Sequence, residues 1–286
     1  MTKPLHKFCT GCNQEMYLEY FDAYEPLCTF CTPKKGTSTM NGFEAHGIEH
    51  LSHSSISSFQ ADQASWVLNY LFKFRDSSAA MLRGIAVEHG VYEDIVGADD
   101  ATNAAVKEFN RRTALGNFPD RDKERERVEQ MTPVALKAIR KYGELAGYQE
   151  KIELTLDDVP VPIIGFTDYT FEPTVVDLKT SGRMPSKMPA SHHRQGNIYA
   201  RATNRPIDFL YVAPPTKANP ENVNIYPVEN DPQAIEEIRQ VAIRINRFLS
   251  LSKDKEELAA LVVPDYDGFR WSNPAAREEG RRVFGF

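Results

Sequence analysis

Gly165-Phe166-Thr167-Asp168 and, nine residues after that acid, Val175-Val176-Asp177-Leu178-Lys179 decide how this chain is read. Residues 151–156, 161–171 and 174–178 are rich in Val, Ile, Phe and Thr, as strands are. Glu172-Pro173 supplies a turn between the last two, so they read as a β-hairpin. A turn centred on Pro173 sets Asp168 and Asp177 roughly opposite each other, and such cross-strand pairs lie about 4.5–5.5 Å apart. Two carboxylates that close repel unless a cation sits between them. A hard divalent ion takes oxygens at about 2.1 Å, and this pair offers them. Strand alternation puts Asp177 and Lys179 on one face and turns Val176 and Leu178 into the core. Asp177-Leu178-Lys179 is the only Asp/Glu-x-Lys in the chain. Taken alone, the hairpin reads equally as a surface ribbon with a cross-strand salt bridge.

Outward from the hairpin, the N-terminal side is helical. Ser52 or Ser54 can cap a helix to about residue 75. Further helices are expected over about 79–96, from Asp99 or Thr102 to about 112, and from about 120 toward 145. The last opens on the sign-alternating run 120–127, read as a solvated face. On the C-terminal side a helix is expected over 191–203, strands over 207–212 and 223–228, and an amphipathic helix over 235–249. The tail after Pro264 is irregular or weakly helical. The order, helices, a β-meander, a helix, strands and a helix, is that of an α/β domain.

The 191–203 helix carries Gln195 and Tyr199 at i, i+4, on one face, with His192 three residues earlier. From Leu178 to Ile207 there is no acid but six Lys/Arg: Lys179, Arg183, Lys187, Arg194, Arg201 and Arg205. The chain has 286 residues and a net charge of −6, so the remainder is −12. A local basic stretch is what a phosphate backbone needs; a solvated basic face is the bland alternative.

Together, Gly165-x-x-Asp168, Asp177-x-Lys179 and Gln195-x-x-x-Tyr199 resemble the PD-(D/E)XK nuclease core in its RecB-like and phage-exonuclease branch. Leu51-Ser52-His53-Ser54-Ser55-Ile56-Ser57-Ser58-Phe59 resembles the Ser-rich opening of that branch's first helix. Arg83-Gly84-Ile85-Ala86-Val87-Glu88 resembles its R-G-x-x-x-(H/E) helix, with His89 next in the chain. The resemblance implies a restriction-endonuclease-like core, a central mixed β-sheet flanked by helices. It also implies Mg²⁺ or Mn²⁺ held by Asp168, Asp177 and the Leu178 carbonyl, with Glu88 completing the site. By the same resemblance Lys179 would act on the attacking water, and Gln195 and Tyr199 would position the strand. Arg183, Lys187, Arg194 and Arg201 are candidate phosphate contacts. Glu153 has the weaker case and reads equally as a strand-surface acid. The family's iron–sulfur cysteines are absent, since no cysteine follows Cys31, and no helicase motif is present.

The four cysteines are Cys9, Cys12, Cys28 and Cys31, a doubled C-x2-C. That spacing suits one tetrahedral, structural Zn²⁺ in a ribbon over residues 1–35; a redox dithiol pair is the other reading. A polar linker is expected over 36–50 and the nuclease domain over 51–286. No apolar run is long enough for a membrane span, and the opening residues lack the apolar core of a secretory signal. The expected compartment is the cytoplasm, or the host cytoplasm for a phage-encoded chain. The expected function is a metal-dependent DNA exonuclease in recombination, repair or degradation. The alternatives are a structure- or site-specific endonuclease on the same core and an inert zinc-ribbon DNA-binding adaptor. DNA is the expected partner, with a single-strand annealing protein, helicase or replication protein as candidate protein partners.

Overall fold

The computed structural model describes residues 41–75 and 77–285, together with the backbone of two short strands near the N-terminus. Those strands, β1 (His6–Phe8) and β2 (Glu15–Tyr17), pair antiparallel within a unit spanning residues 1–40. Cys9, Cys12, Cys28 and Cys31 lie outside the described residues. The second unit, residues 41–286, runs through α1 (Gly42–Ala45), α2 (His53–Ala61), α3 (Gln63–Tyr70), α4 (Ala79–Ile95), α5 (Ala101–Thr113) and α6 (Arg121–Ile139). Four strands follow: β3 (Leu145–Tyr148), β4 (Lys151–Leu154), β5 (Ile163–Phe166) and β6 (Tyr169–Phe171). The remainder is β7 (Val175–Thr180), α7 (Ala190–Thr203), β8 (Ile207–Val212), β9 (Val223–Pro227), α8 (Pro232–Leu249), α9 (Lys255–Ala259) and α10 (Pro274–Phe284).

The sheet order is β3-β6-β7-β8-β9, with β7 and β8 parallel and the other pairings antiparallel, so the sheet is mixed as expected. Helix α7 is the crossover that a parallel β7–β8 pair requires. Alternation along β7 gives each face its own core. Val176 and Leu178 pack with α4, α5 and α6 through Val87, Phe109 and Met131. Val175 faces the other side, where Trp66, Ile198, Phe209 and Ile245 pack.

The structure departs from the sequence reading at four places. The helix expected to 75 breaks at Asp62, whose extended backbone ends α2 and whose carboxylate caps Ser65 N–H and accepts from Trp271 Nε1. The helix expected toward 145 stops at Ile139, and a single 3-10 turn leads to Gly143 at φ +94°, a conformation that favours glycine. The chain then forms β3, which the sequence reading missed. The stretch 36–50 is not all linker. Helix α1 begins at Gly42, where a Cβ would sit 2.4 Å from the Asn246 carbonyl, and Phe43 beside it is fully buried. Finally, the tail forms a regular helix, α10, capped by Asn273.

The run 161–171 is one arm of a long, kinked hairpin. Its first part, β5, pairs with β4, and its second part, β6, pairs with β3 in the same register. The kink falls at Gln149 and Asp168. Gln149 has φ +49°, uncommon for a residue with a side chain, and its N–H donates to the Asp168 carbonyl at 3.1 Å. Such local strain persists only where surroundings impose it. Beside it the Asp168 carboxylate accepts from the Leu178 N–H, and the Gln149 amide reaches Glu88.

Candidate active site

Asp168 precedes β6, and Asp177 stands in the middle of β7. The pairing Tyr169↔Val176 places the two acids across from each other, as the turn geometry predicts. The Leu178 N–H donates to Asp168 Oδ2 at 2.8 Å, which ties the two strands at the acids. Asp177 is 1% exposed. Its Oδ2 accepts from Gln195 Nε2 at 3.0 Å, and its Oδ1 meets Lys179 Nζ at 2.6 Å. The relay continues along α7. Gln195 Nε2 also donates to the Tyr199 hydroxyl at 3.0 Å, and that hydroxyl donates to the Phe166 carbonyl at 2.9 Å. The i, i+4 spacing therefore locks α7 to both arms of the hairpin. Gly165 has a steric role in this lock, because a Cβ there would sit 2.9 Å from Tyr199 Cε1.

Glu88 reaches the same spot from α4. It accepts from Gln149 Nε2 at 2.9 Å, and the Tyr169 hydroxyl donates to its backbone carbonyl at 2.6 Å. His89 points elsewhere, toward Glu93 and α5. Arg83, one turn earlier, is buried and donates to Glu124, Thr180 Oγ1 and the Thr180 carbonyl. It thus fastens α4 to the end of β7, one residue past Lys179. Gly84 lets the helix approach, with a Cβ there only 3.2 Å from Thr180 Oγ1.

The electrostatics follow from crowding. Burial, then repulsion from Asp177 and Glu88, raises the Asp168 carboxyl well above its usual range. Burial also raises Glu88, against hydrogen bonds from Gln149 and Tyr148 that favour its charged form. Burial opposes charge on Lys179, but Asp177 and Asp168 outweigh it and push the ammonium up. His53 and His192, on α2 and α7, are both held down to about 4, by burial first and then by the Lys179 charge.

Three carboxylates thus converge with one lysine to offset them. Among the described residues no three His, Cys, Asp or Glu side chains are already set around a single point as metal ligands. The donor chemistry nonetheless fits a hard divalent cation. All three acids offer hard oxygens, their repulsion is only partly relieved, and Asp177 Oδ1 is buried with no hydrogen bond, only the ion contact to Lys179.

The remaining candidates scatter. Arg183 and Lys187 are exposed in the loop between β7 and α7. Arg194 is mostly buried, 3.8 Å from Glu237, with an unpaired Nε. This disfavours the surface contact expected of it. Arg201 is exposed two residues beyond Tyr199, and helical periodicity sets it on the opposite side of α7 from the relay. Glu153 is exposed and paired with Lys151 at 3.3 Å, a strand-surface acid. The sequence reading missed Gln149 and Tyr148, which contact Glu88 from between the helix expected toward 145 and the strand expected from 151. Gly143, a helix terminator just upstream, was the available signal.

A family model described as the PD-(D/E)XK nuclease superfamily matches residues 50–258. Comparison with curated proteins finds no match. Solved structures with a similar arrangement include an assigned exonuclease of Eubacterium rectale, at 14% identity and TM-score 0.49, covering 78% of this chain and 88% of the other. A phage-related exonuclease of Haemophilus somnus aligns at 13% identity and TM-score 0.35, covering 71% and 94%. An alkaline exonuclease of Laribacter hongkongensis aligns at 14% and 0.33, covering 64% and 93%.

Proposed function

The chain belongs to the PD-(D/E)XK nuclease superfamily, and from that premise we propose that it is a metal-dependent deoxyribonuclease acting as an exonuclease in DNA recombination, repair or degradation. The observation that carries this reading is the meeting of Asp168, Asp177 and Glu88 with Lys179 at the kink and centre strand of one sheet.

In this reading Asp168, Asp177 and the Leu178 carbonyl would hold Mg²⁺ or Mn²⁺, with Glu88 completing the set. Such an ion supplies Lewis acidity at the scissile phosphate and an acidified water. Lys179 orients the attacking water and offsets charge that grows on the phosphate in the transition state. Gln195 holds Asp177 in place and, with Tyr199, forms the wall against which the strand lies. Arg183 and Lys187 contact phosphates beyond the carboxylates. A helicase, replication protein or annealing protein would be a separate chain.

The test uses end-labelled linear duplex and covalently closed circles with Mg²⁺, for the natural chain and Asp177→Asn. Degradation of the linear DNA alone, abolished in Asp177→Asn with DNA binding retained, is the expected result. Cleavage of the closed circle would make the enzyme an endonuclease. Wild-type rates in Asp177→Asn would overturn the site, and no cleavage of either DNA would leave an inert binding protein.

We also propose that Cys9, Cys12, Cys28 and Cys31 hold one structural Zn²⁺. The doubled C-x2-C spacing supports it, as does the pairing of β1 with β2, which bracket the first two cysteines in sequence. Elemental analysis of protein purified without added metal should find about one zinc per chain. A zinc-free protein would refute it.

A further inference from the structure

His192 stands on α7 one turn before Gln195, on the same helix face, yet it has no part in the Gln195–Tyr199 relay. Below it β7 and β8 run parallel, with Phe209 beside Asp177 and Tyr211 beside Lys179. The His192 ring stacks on Phe209, with centroids 5.5 Å apart and planes 14° apart. Lys179 Nζ lies 5.5 Å from the centroid of the same Phe209 ring. Gly196 permits this approach, since a Cβ there would sit 2.9 Å from Phe209 Cε2. The imidazole and the lysine thus share one aromatic support. Burial, then the Lys179 charge, hold the imidazole down to about 4, so it is neutral in neutral solution.

A neutral imidazole carries one ring proton, and the hydrogen bond at one nitrogen decides which nitrogen holds it. His192 Nδ1 is bonded to the Tyr211 hydroxyl. Tyr211 is 3% exposed, and among the described residues its hydroxyl has no other partner. Were Nδ1 the donor, a buried hydroxyl proton would be left without an acceptor, which is costly. The hydroxyl therefore donates, Nδ1 accepts, and the ring proton sits on Nε2. Tyr211 is itself held edge-on by Tyr226 at 5.4 Å, and the Tyr226 hydroxyl donates to the Pro185 carbonyl at 2.8 Å. Nε2 has no hydrogen-bond partner among the described residues, and it is open to solvent rather than buried. The charges that act on this ring are Lys179 and Asp177, and His53 feels it from α2. The free nitrogen therefore opens beside the carboxylate–lysine cluster and not on a remote surface.

We propose that His192 contacts the substrate: its Nε2–H donates to a non-bridging oxygen of a phosphodiester next to the scissile bond, and Tyr211 holds it in the tautomer that can do so. With Nδ1 engaged, His192 has only a donor to offer, and a phosphodiester presents only acceptors. The inference rests on the nuclease reading and deepens it, adding a neutral donor beside the charged Lys179. A neutral donor displaces no counterion from DNA, so the effect of its loss should change little with salt, unlike that of a lost Arg or Lys contact.

The experiment has two readouts on the full chain. Long-range proton–nitrogen NMR spectra of histidine-labelled protein, with His192 assigned by its absence from His192→Gln, should show a protonated Nε2 and an unprotonated Nδ1. In Tyr211→Phe the proton should be shared between the two nitrogens. Cleavage of linear duplex with Mg²⁺ is then measured at two salt concentrations. His192→Ala should lower kcat/KM about ten- to a hundredfold at both, as loss of one hydrogen bond to a charged group does. His192→Gln, whose amide nitrogen reaches the place of Nε2, should recover most of the loss. His192→Asn, whose amide nitrogen reaches only the place of Nδ1, should not; a purely structural role would make the two variants alike. A ring protonated at Nδ1 would overturn the proposal, as would cleavage by His192→Ala within about twofold of the natural chain, well short of one such hydrogen bond. Either result leaves the nuclease reading standing. A natural chain that cleaves no DNA would defeat that reading, and anisotropy of labelled duplex then decides. Binding weakened in His192→Ala and restored in His192→Gln would support the donor. Binding equal in all three chains, or absent from the natural one, would overturn it.

Discussion

Glu124→Ala tests whether the helical layer depends on one buried ion pair. Arg83 and Glu124 are each 4% exposed, and Arg83 has its pKa lowered by burial, with Glu124 opposing the shift. Removing the carboxylate leaves a guanidinium with no anion, in contact only with Thr180. Breaking a buried pair from one side costs about 3–5 kcal/mol. Glu124 also accepts from Arg127 at 2.6 Å, but that side chain is 24% exposed and can turn to water. Its share is about 0.2–1 kcal/mol. Glu124→Ala should therefore cost about 3–5 kcal/mol and Arg127→Ala no more than about 1. Arg83→Met with Glu124→Leu should recover most of the loss, since apolar replacement of both partners is often neutral. Urea midpoints for the single variants and the double variant, at constant m-value, measure this directly. A Glu124→Ala cost under about 1 kcal/mol, equal to that of Arg127→Ala, would show that Arg83 finds water and that the pair does not hold α4 to α6.

Lys179→Ala should lower kcat by about 10²-fold or more, as loss of an aimed electrostatic donor does, whereas Arg183→Ala should mainly raise KM and be partly rescued at low salt. Kinetics at two ionic strengths separate them, and a salt-rescued KM effect in Lys179→Ala would remove the lysine from the chemistry. Gly90→Ala should destabilise by about 1–3 kcal/mol, because the added Cβ would lie 2.5 Å from the Ala101 carbonyl; an unchanged melting temperature would refute the close α4–α5 contact. Hydrogen bonds from Arg111 and Arg112 hold the Glu108 carboxyl at about 2, below its usual value of 4.5 and against the effect of burial. A depressed carboxyl contributes stability above its unfolded pKa and loses it as pH falls through the folded one. The gap between the natural chain and Glu108→Gln should be full at about pH 6 and shrink between about 4.5 and 2, read from denaturant midpoints; a gap that widens on acidification would contradict the pairing.

Local spacing was enough for the centre of the site. The two-residue period of a strand puts Asp177 and Lys179 on one face, and a turn at Pro173 puts Asp168 across from Asp177. The i, i+4 period of a helix stacks Gln195 under Tyr199. These relations are determined within a few residues of backbone, so the sequence alone carries them, as it carries the long helices and the strands β7 to β9 around them. Other features needed the assembled fold. Asp62 can cap a new helix or sit inside an old one, and its bond to Trp271, from the far end of the chain, accompanies the break. The charged run 120–127 looks solvated because its alternation hides which face meets α4; only packing buries Glu124 against Arg83. Glu88 and His89 are adjacent in sequence, and their contacts in the packed chain separate them, Glu88 to Gln149 and His89 to Glu93. Gln149 joins the site through a kinked hairpin whose register is set by pairs as far apart as Leu145 and Phe171, a long-range contact that local pattern does not encode. Short-range geometry therefore determined which residues face together along one element, and tertiary packing decided which elements those faces meet.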